Sequence, residues 1–134
     1  MKRILFIAAL CLIAQNAYAS KMGVLSFSRF AVESEGIGDS GKVSVQGVKD
    51  GEGRYREITI TAFGKVFQVP ESVLNQIPAK YQNGIETCYE AGYAETGGRT
   101  VYVMFFKGFT GDGEDKVLLS VSENGAITIT PLRP

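Results

Sequence analysis

The sequence contains no histidine, the side chain that most often serves as general base or metal ligand, so any chemistry falls to other groups. Ser-His-Asp and Cys-His nucleophiles, His-ligated zinc and an imidazole pH switch are therefore excluded. Glu86 and Glu90 could serve as a glycosidase pair, but four residues along a strand separate their backbones by roughly 13 Å. Glycosidases hold their carboxyl groups about 5–5.5 Å or 6.5–9.5 Å apart. We therefore do not expect an enzyme, and a hydrolase using carboxylates alone stays as an alternative.

Two glycine-rich segments have the composition of ligand-binding loops. Residues 36–41 (GIGDSG) match the dinucleotide pattern G-x-G-x-x-G, which needs a helix after it. Here a strand pattern follows from Lys42, so we interpret the segment as a loop. Residues 110–115 (TGDGED) lack the spacing of a calcium-binding loop. We expect no cofactor, with calcium at Asp112, Glu114 and Asp115 as a weaker hypothesis.

The loop from Ala94 to Thr100 is the most promising binding element. Its two consecutive glycines permit unusual backbone angles, and Arg99 offers donors for a carboxylate or a sugar. Tyr93 and Tyr102 add aromatic surface of the kind enriched at interfaces. The alternative is an ordinary glycine-rich hairpin loop. Together with the acidic loops, this gives the candidate partner-binding residues Glu35, Asp39, Tyr93, Glu95, Arg99, Tyr102 and Asp112.

The first nineteen residues have the pattern of an export signal. Two basic residues precede an apolar run from Ile4 to Ala14, and Ala17 and Ala19 are the small residues that a signal peptidase reads. The run is shorter than the roughly 20 residues that span a bilayer. We predict a cleaved signal peptide at residues 1–19 and a single β-rich domain at residues 20–134. The location is then periplasmic or secreted, with no membrane span after cleavage.

Signal removal would change both the charge and the cysteine count. The whole chain has 14 basic and 14 acidic residues; loss of Lys2 and Arg3 leaves 12 against 14, a formal charge of −2. Without a basic cluster, nucleic acid is a poor partner. Cys11 is lost as well, so Cys88 has no intrachain partner. The neighbouring Glu86 and Glu90 disfavour its thiolate. We predict a packing residue, with an intermolecular disulfide as the alternative.

The candidate residues need a scaffold of strands. Glycines and β-forming residues alternate, with turn signals about every ten residues. This pattern predicts a mainly β fold, a compact antiparallel sandwich or barrel of seven to eight strands. A short helix is predicted at about residues 70–77, because Pro70 suits its first turn and Pro78 ends it. The run Val101–Phe109 is apolar on both faces, which is typical of a central strand.

Two hairpins can be assigned a register from their turns. A Gly64-Lys65 loop would pair Ala62 with Phe67 and Ile60 with Val69, so that apolar residues share one face. In the last hairpin, a three-residue loop ending in a left-handed glycine places apolar pairs opposite each other. That loop is Glu123–Gly125, and the pairs are Val121 with Ile127 and Leu119 with Ile129.

These observations favour binding over chemistry. We expect a small, exported, non-catalytic protein that binds another protein of the cell envelope. An inhibitor of a cell-envelope enzyme, or an immunity protein against a toxin, would have these properties. The alternative is a small-ligand carrier with a β cavity lined by aromatic residues. The sequence leaves the partner's identity and the oligomeric state open.

Overall fold

The computed structural model describes residues 27–79, 84–92, 98–106 and 116–132, and its fold is mainly β. An N-terminal sheet contains β1 (Arg29–Ser34), β2 (Val43–Lys49), β3 (Tyr55–Ala62) and β4 (Lys65–Gln68) in chain order. The single short helix among these residues, α1, spans Glu71–Leu74. A C-terminal sheet contains β5 (Gly84–Glu90), β6 (Thr100–Phe106), β7 (Lys116–Ser122) and β8 (Ile127–Leu132).

All strand pairs are antiparallel, and each sheet is a simple meander. This arrangement confirms the predicted mainly β fold with one short helix and is consistent with a sandwich. None of the helices in the described ranges is long and apolar enough to cross a membrane. The predicted signal peptide, residues 1–19, lies outside the described residues.

The core lies between the inner faces of the two sheets. Burial alternates residue by residue along β2, β6 and β7, as period-two side-chain geometry requires. Ile58 and Ile60 of β3 and Phe105 of β6 are fully buried in one cluster. Burying a side chain of this size stabilises a fold by about 1.5–3 kcal/mol. As predicted, the inner strand β6 lies between two neighbours.

The predicted register of the first hairpin is wrong by two residues. Phe63 and Gly64, not Gly64 and Lys65, form its loop, since Ala62 pairs with Lys65. Both loop residues have positive φ, 55° and 69°, as a type I′ turn requires. A shift of two residues leaves every side chain on its original face, so hydrophobic alternation could not detect it.

The predicted register of the last hairpin is confirmed. Val121 pairs with Ile127 and Leu119 with Ile129, and Gly125 has a φ of 92°. The predicted helix is present but shorter than expected. After Leu74 the chain continues as a tighter turn, in which the Ile77 amide donates to the Leu74 carbonyl over 3.0 Å.

Candidate functional site

The connection between β1 and β2, residues 35–41, is a tightly hydrogen-bonded loop, named here the anchored loop. Ser40 is almost completely buried at its base. The Ser40 hydroxyl oxygen accepts a hydrogen bond from the Ile37 amide at 2.8 Å and donates one to the Gly41 carbonyl at 2.9 Å. The Ser40 amide donates to the Ile37 carbonyl at 3.0 Å. One buried serine therefore closes the loop on itself.

The glycines of the anchored loop serve its backbone. Gly36, Gly38 and Gly41 have φ values of 90°, 57° and 66°, a region that other residues rarely adopt. A Cβ atom on Gly36 would lie 1.9 Å from the Gly41 carbonyl oxygen. The segment leads into β2 and not into a helix, as predicted. Loop closure therefore accounts for these glycines without a phosphate ligand.

The anchored loop presents an apolar side chain to solvent. Ile37 is 70% exposed, the largest exposure among the large hydrophobic residues described as exposed. Glu35 and Asp39 on either side of it are also exposed. The sequence interpretation included these two acids and missed Ile37. The sequence feature that could have identified Ile37 is its position as the single apolar residue, between two glycines, in an otherwise polar loop.

Two side chains from the C-terminal half of the chain, Tyr89 and Arg99, hold Asp39, and Glu123 holds Arg99. The Tyr89 hydroxyl donates a hydrogen bond to the Asp39 carboxylate. Arg99 donates from one guanidinium nitrogen to the Asp39 carbonyl over 2.7 Å, and its Nε donates to Glu123 over 2.6 Å. The Glu123 amide in turn donates to the Arg99 carbonyl over 2.9 Å. The loop of one sheet is thus fastened to the other sheet.

Arg99 is the centre of this cluster. Its hydrogen bond to Glu123 raises its pKa above the usual value and lowers the pKa of Glu123. The guanidinium also lies 5.2 Å from the centre of the Phe63 ring, within range of a cation–π contact. Lys65 donates from Nζ to the Glu123 carbonyl over 3.1 Å. The turn between β3 and β4 therefore joins the same cluster.

The structure separates the predicted site residues into three groups. Glu35, Asp39 and Arg99 belong to the anchored loop and its cluster. Tyr102 lies on β6 with its side chain on the outer face of the C-terminal sheet, where its hydroxyl donates to Glu90. The other three lie outside the described residues: Tyr93, Glu95 and Asp112.

The anchored loop has the properties of a binding element. The Ser40 hydroxyl and the Asp39 carboxylate are hydrogen-bonded, and the exposed side chains of the loop are those of Ile37, Glu35 and Asp39. Comparison with family models, curated proteins and solved structures finds no match. Binding is stronger when a loop loses little conformational entropy on contact with its partner. The hydrogen bonds of the anchored loop already constrain its backbone.

Other candidate chemistry is absent from the described residues or lies outside them. In the described ranges no three Cys, Asp or Glu side chains form a group that could hold a metal ion. The calcium candidates Asp112, Glu114 and Asp115 lie in residues not described. Cys88 is exposed and free, so the prediction that it is a packing residue is wrong. Partial burial and then the charge of Glu86 raise the pKa of its thiol, which disfavours a nucleophilic role.

Proposed function

We propose that this protein is an exported, non-catalytic binding protein that acts on another protein of the cell envelope, as an enzyme inhibitor or an immunity protein does. The observation that carries the proposal is the exposed Ile37 on a loop fastened to both sheets. Hot spots of protein interfaces are apolar or aromatic anchors that enter a pocket of the partner. A loop that is already rigid loses little conformational entropy when it binds.

The charge of the loop indicates the chemistry of the partner. Glu35 and Asp39 flank Ile37, and the Asp39 side chain is 66% exposed despite its contacts with Arg99 and Tyr89. Carboxylates at the rim of an interface speed association with a positively charged surface. We therefore infer a partner with a basic cleft that has an apolar pocket at its centre, such as a basic cell-wall hydrolase.

The two alternatives receive less support. A carrier would line a cavity with aromatic side chains, but Tyr55 and Phe105 are buried and stack with their ring centres 5.1 Å apart. A hydrolase would free two carboxylates for substrate, but Glu90 already accepts a hydrogen bond from Tyr102. Arg99, which the sequence interpretation treated as a donor for the partner, is engaged by Glu123 and the Asp39 carbonyl. Its role in the proposal is to position the loop.

The test compares Ile37→Ser with the matched control Val66→Ser. Val66 is 67% exposed on β4 and does not belong to the anchored loop. The wild-type protein captures its partner from a periplasmic extract, and the affinity of each variant for that purified partner is then measured by calorimetry. We expect a loss of about 30-fold for Ile37→Ser, the effect of a hot spot of about 2 kcal/mol. We expect less than about 3-fold for the control.

Equal affinities of the two variants would contradict the assignment of the loop. Recovery of a small molecule and no protein would favour the carrier alternative. Adding purified peptidoglycan hydrolases to the extract tests the expected partner class, since a hydrolase that binds should be inhibited by the wild-type protein and not by Ile37→Ser.

A further inference from the structure

Lys49, the last residue of β2, is buried although it is a lysine. It lies at the end of β2 that is farther from the anchored loop, and only 5% of its surface is exposed. Its direction follows from the two-residue period of β2, which places Val43, Val45 and Lys49 on one buried face. In β3 the period is broken by a β-bulge, because Val48 pairs with Glu57 but Lys49 pairs with Tyr55, which leaves Arg56 without an opposite residue. The bulge turns Tyr55 toward the interior, beside Lys49.

Aromatic rings surround the buried ammonium group. Lys49 Nζ lies 3.8 Å from the centre of the Phe27 ring and 4.8 Å from that of Tyr55. Phe30 packs edge-to-face against both Phe27 and Tyr55, with ring centres 6.0 Å apart in each pair. Phe105 stacks behind Tyr55. These rings form a wall of apolar surface around a single positive charge.

A glycine in the neighbouring strand leaves room for the ring of Phe30. Phe30 pairs with Gly47 of β2, and a Cβ atom at that position would lie 2.0 Å from the ring. Glycine weakens the interior of a strand unless another group takes the space of its missing side chain. Here the Phe30 ring takes that space, so its place among the rings around Lys49 is fixed by the sheet.

Neither buried donor has an acceptor. In the described part of the chain, Lys49 Nζ and the Tyr55 hydroxyl make no hydrogen bond and have almost no accessible surface. Burial lowers the pKa of Lys49 to about 8 and raises the pKa of Tyr55. In the adjacent Asp50, Oδ1 accepts hydrogen bonds from the Glu52 and Arg54 amides, while the buried Oδ2 makes no hydrogen bond and forms an ion pair with Arg56 at 2.7 Å. Buried polar groups in native proteins nearly always have partners.

We propose that Lys49 and Tyr55 are the donor pair of a binding site for a small carboxylate with an apolar body. The ammonium and the hydroxyl can each donate to one oxygen of a planar carboxylate. The surrounding rings contact the apolar part of the ligand. A single positive charge matches a carboxylate better than a doubly charged phosphate. The Phe27 ring lies over the ammonium group, so a ligand has to displace it to reach the donor pair. This site is separate from the anchored loop and does not depend on the proposed function, and binding there would support the small-ligand alternative.

The test uses sodium benzoate as the carboxylate probe and benzyl alcohol as its uncharged counterpart. Ligands that bind only the folded state raise its melting temperature. At pH 7 and constant ionic strength, we expect benzoate to raise the melting temperature of the wild-type protein with increasing concentration. Benzyl alcohol should produce no such rise. Acetate and phosphate test whether the apolar body and the single charge matter, and both should bind more weakly than benzoate.

Variants assign the effect to the donor pair. Loss of a charged donor weakens binding by roughly 10- to 150-fold, so Lys49→Met should abolish the benzoate effect. Loss of a neutral donor weakens it by about 2- to 12-fold, the range expected for Tyr55→Phe. Lys42→Met removes an exposed lysine, which is 58% exposed and paired with Glu33, and should behave like the wild-type protein.

Specific outcomes would overturn the proposal. One is an unchanged melting temperature of the wild-type protein in benzoate. The other is a rise in the melting temperature of Lys49→Met equal to that of the wild-type protein. An equal effect of benzoate and acetate would overturn the assignment of the apolar walls. Circular dichroism shows whether each variant is folded. If Lys49→Met does not fold, Tyr55→Phe decides the outcome, because it retains the ring and removes only the hydroxyl.

Discussion

At one end of β2, the polar groups of the anchored loop remain partly exposed and satisfy one another, whereas at the other end Lys49 and Tyr55 are buried and make no hydrogen bond. The first arrangement positions a loop at little energetic cost, since each group keeps a partner and some contact with water. The second costs free energy, because a buried donor has lost water without gaining an acceptor. Proteins keep such costs mainly at functional sites.

The largest expected effect concerns Lys49. We expect Lys49→Met to raise the free energy of unfolding by about 2 kcal/mol at pH 7, because it removes a buried charge that contacts ring faces but has no hydrogen-bond acceptor, and it keeps most of the apolar volume. Urea denaturation measures the change, and Lys42→Met at the surface should stay within about 0.5 kcal/mol of the wild-type value. If Lys49→Met is less stable than the wild-type protein, the ammonium group has a favourable partner. The polar groups at the two ends of β2 would then not differ in their energetic cost.

The pH dependence of stability is the second test of the same contrast. The pKa of Lys49 is about 8 in the folded state against a usual value of 10.5. Between these values the unfolded state binds the additional proton, so stability increases as pH rises. We expect a gain of about 1–2 kcal/mol between about pH 8 and about pH 10. Above that range the raised pKa of Tyr55 acts in the opposite direction.

Urea denaturation at a series of pH values measures this gain. The rise should be absent in Lys49→Met, which has no amine to titrate. Tyr55→Phe should keep the rise and lose only the part of the decline at the highest pH that Tyr55 causes, since the pKa values of Tyr89 and Tyr102 are raised as well. A flat profile in the wild-type protein would contradict the burial of the Lys49 amine.

The smallest effect concerns the anchored loop. A methyl group at Gly36 would meet the Gly41 carbonyl oxygen in a backbone conformation with a φ of 90°. We expect Gly36→Ala to lower the free energy of unfolding by about 1 kcal/mol, because the residue must leave a left-handed conformation. Gly51 has open space around its Cβ position and no positive φ, so Gly51→Ala is the matched control. Partner affinity should fall in Gly36→Ala alone. Unchanged partner affinity in Gly36→Ala would mean that binding does not depend on the conformation of the loop.

Local patterns predicted the strands and most of their faces. Val43 and Val45 alternate with polar residues in the sequence and are buried in β2. The Glu123–Gly125 turn determined the register of the last hairpin, because only glycine suits the left-handed position. The first hairpin was different. Phe63 takes a positive φ there, which its residue type disfavours, so turn preferences pointed to the wrong pair of residues.

The candidate site was predictable only in part. Glu35, Asp39 and Arg99 were expected at a binding surface, and the structure places them at the anchored loop and its cluster. The partners of Asp39 and Arg99 were missed, because Tyr89 and Glu123 are far away in sequence and no periodicity relates them. Tyr102 was grouped with Arg99 by its position in the chain, but its side chain lies on the outer face of the sheet.

The sequence by itself determined the absence of histidine chemistry, the mainly β fold, the core faces of β2, β3 and β7 and the conformation of the last turn. These features depend on composition, on the two-residue period of a strand and on local backbone preferences. The tertiary structure decided which distant side chains meet. Arg99 reaches Asp39 across the two sheets, and a one-residue bulge in β3 turns Tyr55 inward beside Lys49. Such contacts depend on how sheets pack and where a strand is irregular, which local sequence does not specify.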